Sequence, residues 1–314
     1  MNGKFAISVS VLALGLSPTA VARQSASKSP PADPSAAVNQ ALDLAEKGHC
    51  RDALPGLRKA LARTGEKELK FEAGMAAARC SMSLNETNAA LDAIAFLNRE
   101  FPHDPRVLYV TTHYFSELAN RTAQELAATA PQSVEAMELD AEAYESQGKW
   151  DEALVEYRKI LDQHPKTPGI HYRLGRIILA QPQTATSVDD AKKEFGAEIA
   201  SHPENAPSEF MLGDIARQAQ QWDEAAEHFS RATKIDAGFS EAYLGLGIAL
   251  NAQQKYQNAI AALEPYVKME PSDPAGHYQL AIAYGRAGRQ QDAARQMALQ
   301  QEAEKAQKGV PQPQ

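Results

Sequence analysis

Five short stretches of this chain repeat one another: HCRDAL from His49, KWDEAL from Lys149, QWDEAA from Gln221, KYQNAI from Lys255 and RQQDAA from Arg289. From Gln221 to Lys255, and again to Arg289, the interval is 34 residues. A unit of that length, with apolar residues at helical spacing on both sides of a turn, reads as helix–turn–helix. One such pair cannot bury its own apolar face, so copies stack and the core grows along one axis. That settles what length leaves open, because 314 residues exceed the roughly 250–300 that one compact core fills.

The repeats share more than the turn. From Val134 the chain offers Met137, Ala141, Tyr144, Gly148, Trp150, Ala153, Tyr157 and Pro165. From Ala206 it offers Leu212-Gly213, Trp222, Ala225, Phe229 and Ala232. From Ser240 come Tyr243, Leu246-Gly247, Tyr256, Ala259, Leu263 and Pro271, and from Pro274 come His277, Leu280-Ala281, Tyr284, Gly288, Ala293 and Met297. This pattern resembles the tetratricopeptide repeat family. The family has a large residue at repeat position 4, a small one at 8, Gly near 15, an aromatic at 17, Ala at 20, an aromatic or Leu at 24 and Pro at 32.

The resemblance implies an all-α, right-handed α-solenoid of about seven to eight helix pairs. Within each pair the small residue at position 8 is expected to meet Ala at position 20. Gly148 and Gly288 suit the left-handed residue that ends a helix. Pro165, Pro203 and Pro271 end the second helices.

The N-terminal half fits less well. Residues 36–64 offer Gly48, Ala53, Leu57 and Ala60, and residues 71–102 offer Ala78, Ala90, Ile94, Leu97 and Pro102. Residues 105–131 read as a shortened pair, Arg106 to Leu118 and Arg121 to Thr129, with a turn at Asn120. In the repeat from Pro168, His171, Leu174-Gly175 and Ile178 mark a first helix, but Ala191 and Phe195 arrive four residues late. The extra length is assigned to a loop from Gln181 to Ser187. The last helix is expected to run to Lys308, with Gly309 ending it. The expected organisation is a leader over 1–22, a linker over 23–35, degenerate repeats over 36–131, standard repeats with a capping helix over 132–308 and a tail over 309–314.

Residues 1–22 read as a secretory signal peptide. Lys4 supplies the positive start, Phe5 to Leu16 the apolar run, and Ala20-Val21-Ala22 a small-x-small site with cleavage expected after Ala22. The apolar run is shorter than the roughly 20 residues that span a bilayer. An uncleaved anchor is the alternative. The expected destination is the periplasm or the exterior. No later segment reads as a membrane span.

Charge and motifs narrow the function. Forty acidic against 32 basic residues leave a formal charge of −8, and no basic stripe offsets it locally. That argues against nucleic acid, whose binding depends on neutralising phosphates. The eight histidines are scattered without metal-ligand spacing. Asp151-Glu152 and Asp223-Glu224 recur in the first turn of second helices, where they complement the helix dipole. Neither a nucleophile elbow nor a phosphate loop occurs. No enzymatic activity, cofactor or metal is therefore expected. Cys50 and Cys80 fall in adjacent repeats, and in an exported chain they either pair as a disulfide or stay as two buried thiols.

The family resemblance implies a binding surface lined by first helices, at positions 2, 5, 9, 12 and 13. Here these give Glu138 and Glu142 within an acidic row that also holds Glu135 and Glu145. They continue with Tyr172 and Arg176, then Phe210, Asp214 and Arg217, then Leu244, Ile248 and Asn251, then Tyr278, Ile282 and Arg286. The expected groove thus leads from an acidic stretch, suited to a basic segment, into an apolar stretch bearing Arg. A neighbouring helix of the same chain filling the strip is the alternative. The implied function is an exported scaffold that binds a protein or peptide; the alternative is a non-catalytic accessory subunit of an envelope enzyme or assembly complex.

Overall fold

The computed structural model describes residues 34–63, 65–182 and 184–309. The expected leader, most of the expected linker and the last five residues lie outside them. Every regular element among the described residues is a helix. In order they are α1 Pro34–Glu46, α2 Cys50–Arg63, α3 Lys67–Ser83, α4 Thr87–Glu100, α5 Pro105–Thr129, α6 Val134–Ser146, α7 Trp150–Gln163 and α8 Ile170–Ala180. They continue with α9 Ser187–Ser201, α10 Ala206–Gln218, α11 Trp222–Ile235, α12 Ser240–Ala252, α13 Tyr256–Met269, α14 Pro274–Arg286 and α15 Gln290–Gly309. Seven consecutive pairs pack together: α1 with α2, α3 with α4, α6 with α7, α8 with α9, α10 with α11, α12 with α13 and α14 with α15. The chain divides into two compact units, with Asn120 ending the first and Arg121 opening the second.

The turn inside a pair needs one residue in the left-handed region. Gly48, Gly148 and Gly288 supply it with φ of 79°, 69° and 83°. Elsewhere the backbone takes the same shape without glycine, at Asn85, Gln220 and Gln254, with φ of 57°, 58° and 61°. The loop between α8 and α9 runs over residues 181–186, where the late second helix placed it.

Position 8 is as tight as its small residues imply. A Cβ built on Gly175, Gly213 or Gly247 would first meet Phe195, Phe229 or Leu263. The position-20 alanines Ala191, Ala225 and Ala259 are fully buried beside the crossing. The long side chain one turn later reaches the glycine. Phe195, Phe229 and Leu263 are accordingly among the largest side chains fully removed from solvent.

Residues 105–129 correct the sequence reading. No turn forms at Asn120; the segment is one continuous helix of 25 residues. Where other pairs place glycine, Asn or Gln at the turn, this segment has Ala119, the strongest helix former. Beyond it, Arg121, Gln124 and Ala128 replace the aromatic, Ala and large apolar residue that hold a second helix down. Nothing rewards the chain for folding back, so it continues.

The N-terminal unit is held by Val38, Leu57, Phe71, Ala77, Leu97, Val107 and their buried neighbours. Within it Cys50, at the start of α2, and Cys80, in α3, form a disulfide with Cα atoms 4.9 Å apart.

Candidate interaction face of the C-terminal unit

The thirteen residues expected to face a partner lie on α6, α8, α10, α12 and α14 of the C-terminal unit. None is fully buried: Arg176, Tyr278 and Arg286 are exposed and the others half-buried. Their environments divide them into residues already engaged within the chain and residues turned to solvent.

The acidic stretch is engaged. Arg173 of α8 donates to Glu142 and lies 3.6 Å from Glu145, both on α6. The same guanidinium donates to the Tyr157 hydroxyl at 3.2 Å, and that hydroxyl donates to Glu145 at 3.1 Å. Burial lifts the Glu138 carboxyl above the ordinary carboxylate range; Arg173 opposes this, while Glu142 and Glu135 add to it. The row is therefore partly neutralised by the next first helix. Sequence reasoning passed over Arg173, which stands at repeat position 6, because positions were assigned one repeat at a time and this contact joins two.

The polar members further along are engaged too. Asp214 accepts from Arg217 at 2.6 Å and from Gln218 at 2.7 Å. Asn251 donates to the backbone oxygen of Gln279 at 3.0 Å and to its side chain at 3.1 Å, tying α12 to α14. Arg176 lies over the Tyr172 ring at 5.8 Å. Phe210, expected on an exposed strip, packs its ring 5.6 Å from Phe229 and 5.0 Å from Phe239. It fills the space between its own second helix and the following loop.

What stays open is the outer face of α12 and α14. Ile248 and Ile282 are half-buried and Tyr278 is 47% exposed, with the Arg286 side chain in solvent, whereas Leu244 packs against the core around Leu250 and Leu263. The two helices lie side by side, so these residues form one surface. It is apolar with a cation at its edge.

Histidines and glutamates pair at the helix crossings. His171 lies 2.6 Å from Glu194, and His228 lies 2.7 Å from Glu209, which also accepts from Arg231 at 2.9 Å. His277 meets Gln296 and the backbone oxygen of Pro271. Glu198, fully buried on α9, accepts from the backbone N–H of Gly169 at 2.8 Å and of Tyr172 at 3.4 Å. It thereby caps α8, whose first residues carry no side-chain cap of their own. These groups serve packing. No group of three or more His, Cys, Asp and Glu among the described residues is placed to hold a metal ion, and no described helix is long and apolar enough to cross a membrane.

Two tetratricopeptide repeat profiles match, one over residues 141–177 and the other over 185–238 and 244–306. The "Small glutamine-rich tetratricopeptide repeat-containing protein 2" of Mycosarcoma maydis is 34% identical over 100 residues, which are 31% of this chain. The matched stretch spans 28% of that protein's length. Among solved structures, MamA is 19% identical with a TM-score of 0.48, covering 54% of this chain and 97% of MamA. YrrB, described as a repeat protein of this type with an unusual peptide-binding site, is 16% identical with a TM-score of 0.48, covering 58% of this chain and 91% of its own. Likenesses this distant leave function open.

Proposed function

We propose, since this chain is a tetratricopeptide repeat protein, that it is an exported scaffold which binds a protein or peptide across the first helices of its C-terminal unit. The observation that carries this is the apolar face of α12 and α14 formed by Ile248, Tyr278 and Ile282 beside Arg286. Leu280, Ala281 and Tyr284 bury the opposite side of α14, so packing of the fold makes no demand on Tyr278 or Ile282. Exposed apolar side chains grouped in this way mark a partner surface. The partner is apolar at its centre, with an acidic side chain or chain terminus for Arg286. Export rests on the sequence of residues 1–22. A binding role rather than catalysis rests on polar clusters that are consumed in pairing helices.

The test is co-purification from the native host with a C-terminal tag, comparing the wild type with a Tyr278→Glu, Ile282→Glu double variant. Phe210 is left alone because its ring is part of the packing. A protein recovered with the wild type and lost with the double variant, whose helical spectrum is unchanged, supports the reading. Equal recovery with both would move the site elsewhere. Residues 1–22 are tested separately: an N-terminus at Met1 in protein recovered from the cytosolic fraction would overturn export.

A further inference from the structure

Helix α5, which lacks a second helix of its own, leaves open the face that α14 hides. Its register is fixed by its entry: Pro102-His103-Asp104-Pro105 stands where Pro271-Ser272-Asp273-Pro274 leads into α14. With Pro105 and Pro274 both at position 1, Leu108, Thr112 and Phe115 occupy positions 4, 8 and 11, as His277, Ala281 and Tyr284 do in α14. In α14 those three are 4%, 4% and 6% exposed, because α15 covers them. In α5, Leu108 is 49% and Phe115 47% exposed, and Thr112 between them is exposed as well.

The rest of α5 behaves as a docked first helix. Val107, Val110 and Tyr114 are buried in the N-terminal core. Asn98 of α4 donates to the Thr111 hydroxyl at 2.8 Å, and Tyr114 donates to the backbone oxygen of Thr87 at 3.1 Å. Thus the helix sits correctly on α4 while the side meant for its own second helix is bare. That bare side, from Leu108 through Tyr109, Thr112, His113, Phe115 and Ser116, contains no charged residue.

We propose that this face takes an amphipathic helix supplied by another protein, seated where a second helix sits in the seven complete pairs. The chemistry of the missing helix is written in those that are present. Ala53 and Leu57, Ala90 and Ile94, Ala153 and Tyr157, Ala191 and Phe195, Ala225 and Phe229, and Ala259 and Leu263 each pair an alanine with a large apolar residue one turn later, all buried. The partner helix therefore carries Ala-x-x-x-(aromatic, Leu or Ile), with the large residue crossing Thr112 as Phe229 crosses Gly213. Thr112 is bigger than glycine or alanine, which favours Leu or Ile over Phe at that crossing. Because the face is uncharged, apolar area rather than ion pairing selects the partner, and the interaction is insensitive to salt. This site lies in the N-terminal unit and stands or falls independently of the α12–α14 surface.

The probe is a fluorescein-labelled peptide of residues 221–236 with Phe229→Leu, titrated into the full-length mature protein and followed by anisotropy. Expected is saturable binding, weakened at least tenfold by Phe115→Glu or by Leu108→Glu and unchanged by Tyr278→Glu. A cysteine at Thr112 should form a mixed disulfide with the peptide carrying cysteine at position 229, and not at 230. Equal binding to wild type and Phe115→Glu overturns the proposal, as does no binding up to about 1 mM, where affinity falls to about −4 kcal/mol. A dimer that Phe115→Glu dissociates, with no peptide bound, would give the face to a second copy and overturn it likewise.

Discussion

Phe229 presses on Gly213 so closely that a Cβ on that glycine would lie 2.8 Å from the ring's Cδ1. The same ring would meet a Cβ on Gly245, of the next repeat, at 2.6 Å from Cζ. One side chain thus joins two repeats through two missing methyl groups. Gly213→Ala should destabilise the C-terminal unit by about 1–3 kcal/mol through overpacking, only partly offset by about 1 kcal/mol of helix propensity. Gly196, in the exposed face of α9 with nothing within 4 Å of its would-be Cβ, is the control. Gly196→Ala should gain up to about 1 kcal/mol. Thermal unfolding of both variants checks this, and shifts of the same sign would contradict it.

At the turns, the residues that lack a glycine are a reserve of stability. Gln254 holds φ at 61° and Gln220 at 58°, a conformation that costs a side-chain-bearing residue about 1–2 kcal/mol. Gln254→Gly should therefore stabilise by about 0.5–1 kcal/mol, less than the full cost because glycine loses more freedom on folding. Gly288→Ala should move stability the other way. Denaturant midpoints decide it, and a destabilised Gln254→Gly would show that the glutamine side chain contributes more than its backbone costs.

The bridge between Cys50 and Cys80 closes a loop with a sequence separation of 30. A loop of that size restricts the unfolded chain enough to contribute about 3–4 kcal/mol in the chain-entropy account. Replacing both cysteines by serine should lower the unfolding transition of the N-terminal unit and leave the C-terminal one in place. If the N-terminal transition does not move, the constraint is not acting on the unfolded state.

Alkaline pH should unfold the protein through its tyrosines. Tyr157 donates to Glu145, Tyr266 to Asp273 and Tyr284 to Glu264. Burial, reinforced by Glu264 and Asp292 against the pull of Arg289, pushes the Tyr284 hydroxyl up to about 12; burial beside carboxylates also raises Tyr157 and Tyr266. An unfolded tyrosine ionises near 10. Above that pH the unfolded chain releases protons that the folded chain keeps, so stability is intact below about 10 and falls as pH rises toward 12. Tyr284→Phe should flatten that fall. Tyrosinate absorbance followed alongside helicity measures it, and ionisation of all tyrosines near 10 without loss of helix would contradict it.

Much of this was legible in the sequence because the signal is local and repeated. The 34-residue interval, the alanine and aromatic positions and the late second helix before Phe195 all describe contacts within one unit. The α5 reading failed for a related reason: a periodic frame was extended across Ala119, where the residues that hold a second helix are absent. Glu198 and Arg173 went unnoticed because one caps a helix nearly 30 residues earlier and the other pairs across repeats.

Outside residues 105–129, the sequence by itself determined the helices, their pairing and the small residues at each crossing, since these follow from periodicity and from side-chain size at fixed spacing. Only the tertiary structure decided which outward residues are spent. Glu142 and Phe210 share repeat positions with residues that remain open, and the difference lies in what neighbouring elements present to them: Arg173 of α8, or the rings of Phe229 and Phe239. Position in a repeat sets the direction in which a side chain points. Whether it meets solvent or a partner depends on distances between elements, and no spacing along the chain contains them.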